Sequence, residues 1–132
     1  MGLRMSRATP ETDLHTAVVA WLRLVLPSDC LLHHSPNEGV RKVQYRRKLS
    51  RMGLRPGWPD LQLVVPPTYY LDGERQTGIY IELKAPNGRL SEAQREVIVR
   101  LLAARRHVAV CGSLDEVQDF LRGIIRLQGV WL

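Results

Sequence analysis

Apolar residues first recur at helical spacing in TPETDLHTAVVAWLRLVLP, residues 9–27, where Leu14, Val18, Trp21, Leu22 and Val25 make one stripe. Thr9 is placed to cap this helix, Pro10 fits its first turn and Pro27 ends it. CLLHHS, residues 30–35, reads as a short strand and PNEGV, residues 36–40, as a turn. The stretch 41–52 has only a weak helical pattern, and LRPGWP, residues 54–59, is a turn by its proline and glycine content. LQLVV, residues 61–65, is nearly continuous in apolar residues, as expected of a strand covered on both faces. IYIELK, residues 79–84, alternates, with Ile79, Ile81 and Leu83 on one side and Tyr80, Glu82 and Lys84 on the other. The connection between these strands carries a turn signal at Asp72–Gly73. SEAQREVIVRLLAARR, residues 91–106, predicts a helix opened by a capping box of Ser91 and Gln94. HVAVCG, residues 107–112, predicts a buried strand, and SLDEVQDFLRGII, residues 113–125, a last helix with Ser113 and Glu116 as a second capping box. The order is helix, three strands, helix, strand, helix. Its closing strand–helix alternation predicts an α/β fold, a mixed β-sheet flanked by α-helices.

A chain of 132 residues suits one domain, residues 1–132, with a real core. Its apolar runs are too short for a transmembrane helix, and MGLRMSRATPE lacks the apolar region of a signal peptide, so a cytoplasmic protein without a membrane partner is expected. Cys30 and Cys111 lie far apart and are expected as free thiols.

The net charge of +6 matters chiefly for where it sits. Residues 1–58 hold ten Lys and Arg against four acids, whereas residues 59–132 hold nine against nine. RKVQYRRKLSRMGLR, residues 41–55, has seven basic residues and no acid. A solvated helix face usually mixes signs. An acid-free stretch therefore points to a polyanionic partner, most simply nucleic acid, against the plainer reading of a soluble basic loop. Asn37, Arg41, Lys42, Arg46, Arg47, Lys48 and Arg51 are the candidate phosphate contacts. GxGxxG, P-loop, HExxH and GxSxG motifs are absent, which gives no foothold for a nucleotide cofactor or serine chemistry.

The anomaly is charge inside strands. Burying a charged group without a partner is costly, yet Asp60 stands at the head of LQLVV and Glu82 and Lys84 lie inside or at the end of IYIELK. If the two strands form an antiparallel hairpin turning near Leu71–Gly73, Asp60 falls beside Glu82 at its open end, with Lys84 on the same face. Glu11 and Gln94 also lie on apolar helical stripes, each in a first turn. Each has an ordinary explanation: Glu11 complements a helix N-terminus and Gln94 completes a capping box. Together, three carboxylates and a lysine lining one pocket suit a hard cation, Mg²⁺ or Mn²⁺, and phosphate chemistry.

The spacing of Pro59–Asp60 and Glu82-Leu83-Lys84 resembles the PD-(D/E)XK nuclease signature. The longer pattern, ETDLHTAVVAWL, then GLRPGWPDLQLV, then GIYIELKAPNGRLSEAQREVI, resembles the VRR-NUC family, and HHSPNEGVRKVQYRRKLSRMGLRPGWPD resembles its stand-alone phage and bacterial members. The resemblance covers residues 11–120. It implies a restriction-endonuclease-like fold and a metal-dependent endonuclease that hydrolyses phosphodiester bonds. It implies that Asp60 and Glu82 are metal ligands, joined by the backbone carbonyl of Leu83, and that Lys84 is the catalytic lysine. Glu11 matches the acid of the family's first helix, a further implied ligand, and Gln94 the glutamine of the helix after the last motif. His15 stands where a glutamine is more usual. The likeness to stand-alone members further implies a structure-selective nuclease acting on branched DNA such as Holliday junctions, often as a homodimer, in the cytoplasm of bacteria or phage-infected hosts.

The competing expectations are a basic nucleic-acid-binding module whose acids are structural, and a flap or nicking nuclease that does not resolve junctions. His33 and His34 make a strand pair in which one residue more often packs and the other is exposed. Trp58 reads as packing. Tyr80 shares the face of Glu82, and the tail GVWL, residues 129–132, is apolar enough to finish a core or an interface.

Overall fold

The computed structural model describes residues 10–35, 43–72 and 78–127. Thr9, Asn37, Arg41, Lys42, Gly73 and the tail 129–132 lie outside the described residues. The elements in chain order are α1 (Pro10–Val25), β1 (Leu31–His34), α2 (Val43–Arg51), β2 (Leu61–Val64), β3 (Ile79–Leu83), α3 (Glu92–Ala103), β4 (His107–Cys111) and α4 (Leu114–Arg122), with a 3₁₀ turn at Pro67–Tyr69. Among the described residues no helix is long and apolar enough to cross a membrane.

The strands form a mixed sheet in the order β1-β2-β3-β4, antiparallel across the first two pairs and parallel between β3 and β4. Leu61 pairs with Ile81 and Leu63 with Ile79. That register, continued by one residue, brings Asp60 beside Glu82, as the hairpin argument requires. All five residues of β3 are buried, because β3 lies inside the sheet with helices over both faces.

The larger core sits on one face. Val18, Trp21 and Leu22 of α1 and Val117 and Leu121 of α4 pack with Leu61, Leu63, Ile79, Ile81 and Leu83. On the other face, Val97 and Leu101 of α3 pack on Tyr80, with Trp58 and Val108 at the margin. Trp58 meets the Tyr80 ring edge-on, centroids 5.8 Å apart, so it is a packing residue as its position suggested.

Two expectations change, both about strand burial. β2 is not covered on both faces: Leu61 and Leu63 are buried, whereas Val64 is 49% exposed. β4 is an edge strand in which only Cys111 is buried and Val110 is exposed. Both strands consist mostly of apolar residues, and such a run does not distinguish an inner strand from an edge one. The weakly patterned basic stretch does form a helix, α2, which buries no residue. Its end is well specified. Gly53 at φ +100° and the bonds from Gly53 N to Ser50 O and Leu54 N to Leu49 O make a Schellman turn.

The Ser91–Gln94 capping box forms in full. The second box forms by half: the Ser113 hydroxyl accepts from Glu116 N, but the Glu116 carboxylate takes the N–H of Gly112 in place of that of Ser113.

Candidate active site

Four elements deliver side chains to one place. The end of the 54–60 turn supplies Asp60, β3 supplies Glu82 with Lys84 just beyond it, the first turn of α1 supplies Glu11, and the first turn of α3 supplies Gln94. Asp60 is held by its neighbours on both sides. Its Oδ2 accepts from the backbone N–H of Leu83 at 2.7 Å. Its own carbonyl accepts from Ser35 N at 3.0 Å and from His34 Nδ1 at 3.1 Å. The end of β1 thus clamps the main chain of Asp60 while β3 clamps its carboxylate.

Glu82 is 2% exposed. Gln94 Nε2 donates to its Oε1 at 3.3 Å, and the same Gln94 side chain accepts from Ser91 N at 2.8 Å. One amide therefore caps α3 and reaches the Glu82 carboxylate at the same time. Glu82 Oε2 is buried with no hydrogen-bond partner. Burial, together with the Asp60 carboxyl group beside it, pushes the Glu82 carboxyl up to about 9. As two ionised carboxylates the pair lacks any donor between them; a proton on Glu82 supplies one.

Lys84 is mostly buried, and its Nζ lies 3.8 Å from Glu11 Oε1. Its backbone N–H bonds to Cys111 O, which ties the end of β3 to β4. Among the described residues no three His, Cys, Asp or Glu side chains gather tightly enough to enclose a cation. What converges is the Asp60–Glu82 pair, with Glu11 engaged by Lys84. This donor set fits a hard divalent ion that takes one or two carboxylates and leaves its other positions to water and phosphate. At an orphaned carboxylate oxygen next to a second carboxylate, such an ion would relieve both repulsion and a missing partner.

A cleft of about 310 Å³ opens beside the pair, lined by Glu11, Thr12, His15, Thr16, His34 and Asp60. His33 is exposed on the edge strand, while His34 reaches the site through the Asp60 carbonyl. The candidate phosphate contacts Arg46, Arg47, Lys48 and Arg51 all lie on α2 and are exposed. Arg55 instead pairs with Glu96 at 3.5 Å, and Arg100 joins the same carboxylate at 3.0 Å.

The turn before Asp60 touches the helix that carries Gln94, a contact the sequence did not reveal. Gly57 has φ +85°, and a Cβ there would stand 2.5 Å from the carbonyl carbon and oxygen of Ala93 and 2.7 Å from Gln94 N. Gly57→Ala is expected to destabilise by about 2 kcal/mol or more, from backbone strain and the forced separation of turn and helix. Urea denaturation checks this; an unchanged midpoint would mean that the turn moves aside without cost.

A family model described as VRR-NUC domain matches residues 3–115. A solved structure described as a VRR_NUC domain protein is similar with TM-score 0.65 at 23% identity, over 92% of this chain and 99% of its own. Another, described as a VRR_NUC domain, is similar with TM-score 0.56 at 19% identity, over 87% of this chain and 97% of its own. No curated protein matches. The mixed sheet between helices is accordingly an α/β, restriction-endonuclease-like fold. The matched segment contains the Asp60 turn, the β3 acid and lysine, and both helices that reach them, and on this extent of match the chain belongs to the VRR-NUC domain family, a nuclease-type family whose substrate is nucleic acid.

Proposed function

We propose that the protein is a Mg²⁺- or Mn²⁺-dependent DNA endonuclease selective for branched DNA such as Holliday junctions, working as a homodimer. The observation that carries the catalytic part is the Asp60–Glu82 pair, in which Glu82 is buried with an unpartnered oxygen, set beside Lys84. Asp60 and Glu82 hold the ion, with the Leu83 carbonyl and Glu11 as further ligands. The bound ion supplies polarisation of the phosphoryl oxygen and acidifies water. Lys84 orients the attacking water or stabilises charge that develops on the phosphate. Gln94 fixes the rotamer of Glu82 by its hydrogen bond.

The exposed, acid-free α2 supports DNA as the polyanion, with Arg46, Arg47, Lys48 and Arg51 on backbone phosphates. Asn37, Arg41 and Lys42 extend the same basic segment in sequence. A two-fold-symmetric junction is most simply cut by two sites related by a two-fold axis, which a C₂ dimer provides. A binding module has no use for buried acids against a polyanion, which disfavours that competitor.

Labelled four-way junction, flap and duplex DNA, each incubated with and without Mn²⁺, test this directly. Junction cleavage that needs the metal is the expected result. Cleavage of flaps alone would leave a flap nuclease, and metal-independent binding without cleavage a binding module. Sedimentation tests the dimer: a strict monomer, free and on the junction, would remove the resolving part of the proposal. Replacing Arg46 and Arg47 together by alanine should weaken DNA binding and lower the slope of log K against log salt by about 2, one per lost phosphate contact.

A further inference from the structure

The cleft beside the carboxylate pair has more room than a cation and a few waters need. Its volume is about 310 Å³, whereas each water takes about 30 Å³ of the liquid. Four of its six lining residues, Glu11, Thr12, His15 and Thr16, come from successive turns of α1, so the cleft runs along the helix away from the catalytic end. Glu11 and His15 are one turn apart, roughly 6 Å along the axis. That spacing is comparable to the distance between neighbouring phosphates in a nucleic-acid strand. Every lining side chain has a polar head, which suits backbone better than base.

The donors in this wall are ordered. A carbonyl oxygen only accepts, so the contact between His34 Nδ1 and the Asp60 carbonyl puts a proton on Nδ1. His34 is thereby oriented by the main chain of Asp60. The His15 ring stands edge-to-face against His34, with centroids 4.4 Å apart and planes at 83°. The Thr16 hydroxyl donates to Thr12 O, so its proton is not offered to a ligand. His15 has a ring N–H in either tautomer. It is the lining group whose donor lies one turn from the catalytic end in an orientation set by packing.

We infer that His15 contacts the substrate strand itself, donating to the phosphodiester next to the one that is cleaved. This rests on the nuclease reading above. The contact spends its binding energy on placing the strand over the carboxylate pair, so its loss appears in KM more than in kcat. The ligand chemistry is an internal, singly charged phosphodiester.

Cleavage of DNA carrying one uncharged methylphosphonate linkage, moved stepwise across the cut position, tests the contact. The KM of the wild type should rise about tenfold at one linkage adjacent to the cut, in keeping with loss of a hydrogen bond to a charged group. His15→Ala, with its melting midpoint checked against wild type, should show that rise on native DNA and no further rise when the neutral linkage occupies that position. His15→Gln, which keeps an N–H donor, should recover much of the affinity. If His15→Ala stays as sensitive to the neutral linkage as the wild type, another group reads that phosphate and the inference fails. If an abasic residue reproduces the loss and the neutral linkage does not, the contact is to a base and the inference also fails. A wild type that cuts no DNA in Mg²⁺ or Mn²⁺ overturns the nuclease reading and this contact with it; a wild type that cuts DNA without any sensitive adjacent linkage overturns the contact alone.

Discussion

Lys84→Ala is expected to bind DNA nearly as well as the wild type and to cut it roughly 10²-fold or more slowly, the loss typical of a positioned catalytic group. The argument lies in where Lys84 sits. It follows β3 directly, its main chain is tied to Cys111 O, and its side chain is mostly buried. It is therefore held at the carboxylate pair rather than displayed to the backbone at large, as the exposed arginines of α2 are. Glu11 is 3.8 Å from its ammonium, so the side chain is aimed by an ion pair and is not a buried ion without a partner. Lys84→Arg should not restore the rate, because a planar fork does not replace a compact ammonium in a confined position. Single-turnover cleavage of prebound DNA separates the alternatives. Collapsed affinity with normal turnover of the bound fraction would make Lys84 a phosphate anchor.

What the sequence made legible was local chemistry plus one register. Asp60 beside Glu82 followed from alternation in IYIEL and from turn residues between the strands, and the observed pairing of Leu61 with Ile81 agrees. The two helix starts with Ser at the cap were legible because capping uses residues three apart. What failed was whatever depends on the order of strands. An apolar run such as HVAVC has the same composition at an edge as inside a sheet, and β4 proved to be an edge. The helix α2 was weakly marked because it has no buried face to impose a period. Contacts between distant segments were not legible at all. Nothing in Gly57 announces that it lies against Ala93, and nothing in His15 that it packs on His34. Gln94 shows the opposite difficulty: its capping role was sufficient by itself, and its bond to Glu82 emerged only in three dimensions.

Without divalent metal, the protein should lose stability as pH rises between about 4.5 and 9, and Glu82→Gln should remove that loss. The folded Glu82 carboxyl titrates at about 9, above its ordinary 4.5, so between those values the folded state binds a proton that the unfolded state has released. Stability then falls with pH, by at most about 1.4 kcal/mol per pH unit for one proton. The contribution is complete below the lower value and exhausted above the higher one. His107 acts in the opposite direction: burial lowers its pKa from 6.5, so its charging on unfolding makes stability rise with pH up to that region. The difference between wild type and Glu82→Gln cancels His107 and isolates the acid. Glutamine keeps an oxygen for the Gln94 amide and offers Asp60 an N–H in place of the carboxyl proton. The variant should therefore exceed the wild type in urea midpoint at pH 8–9 in EDTA. Adding Mn²⁺ should reverse the ranking, since a cation on Asp60 and Glu82 replaces the proton and stabilises only the folded wild type by mass action. A wild-type midpoint that is flat or rising from pH 7 to 9 in EDTA, parallel to that of Glu82→Gln, would mean that Glu82 is ionised in the folded protein and that repulsion from Asp60 is relieved by something other than a proton.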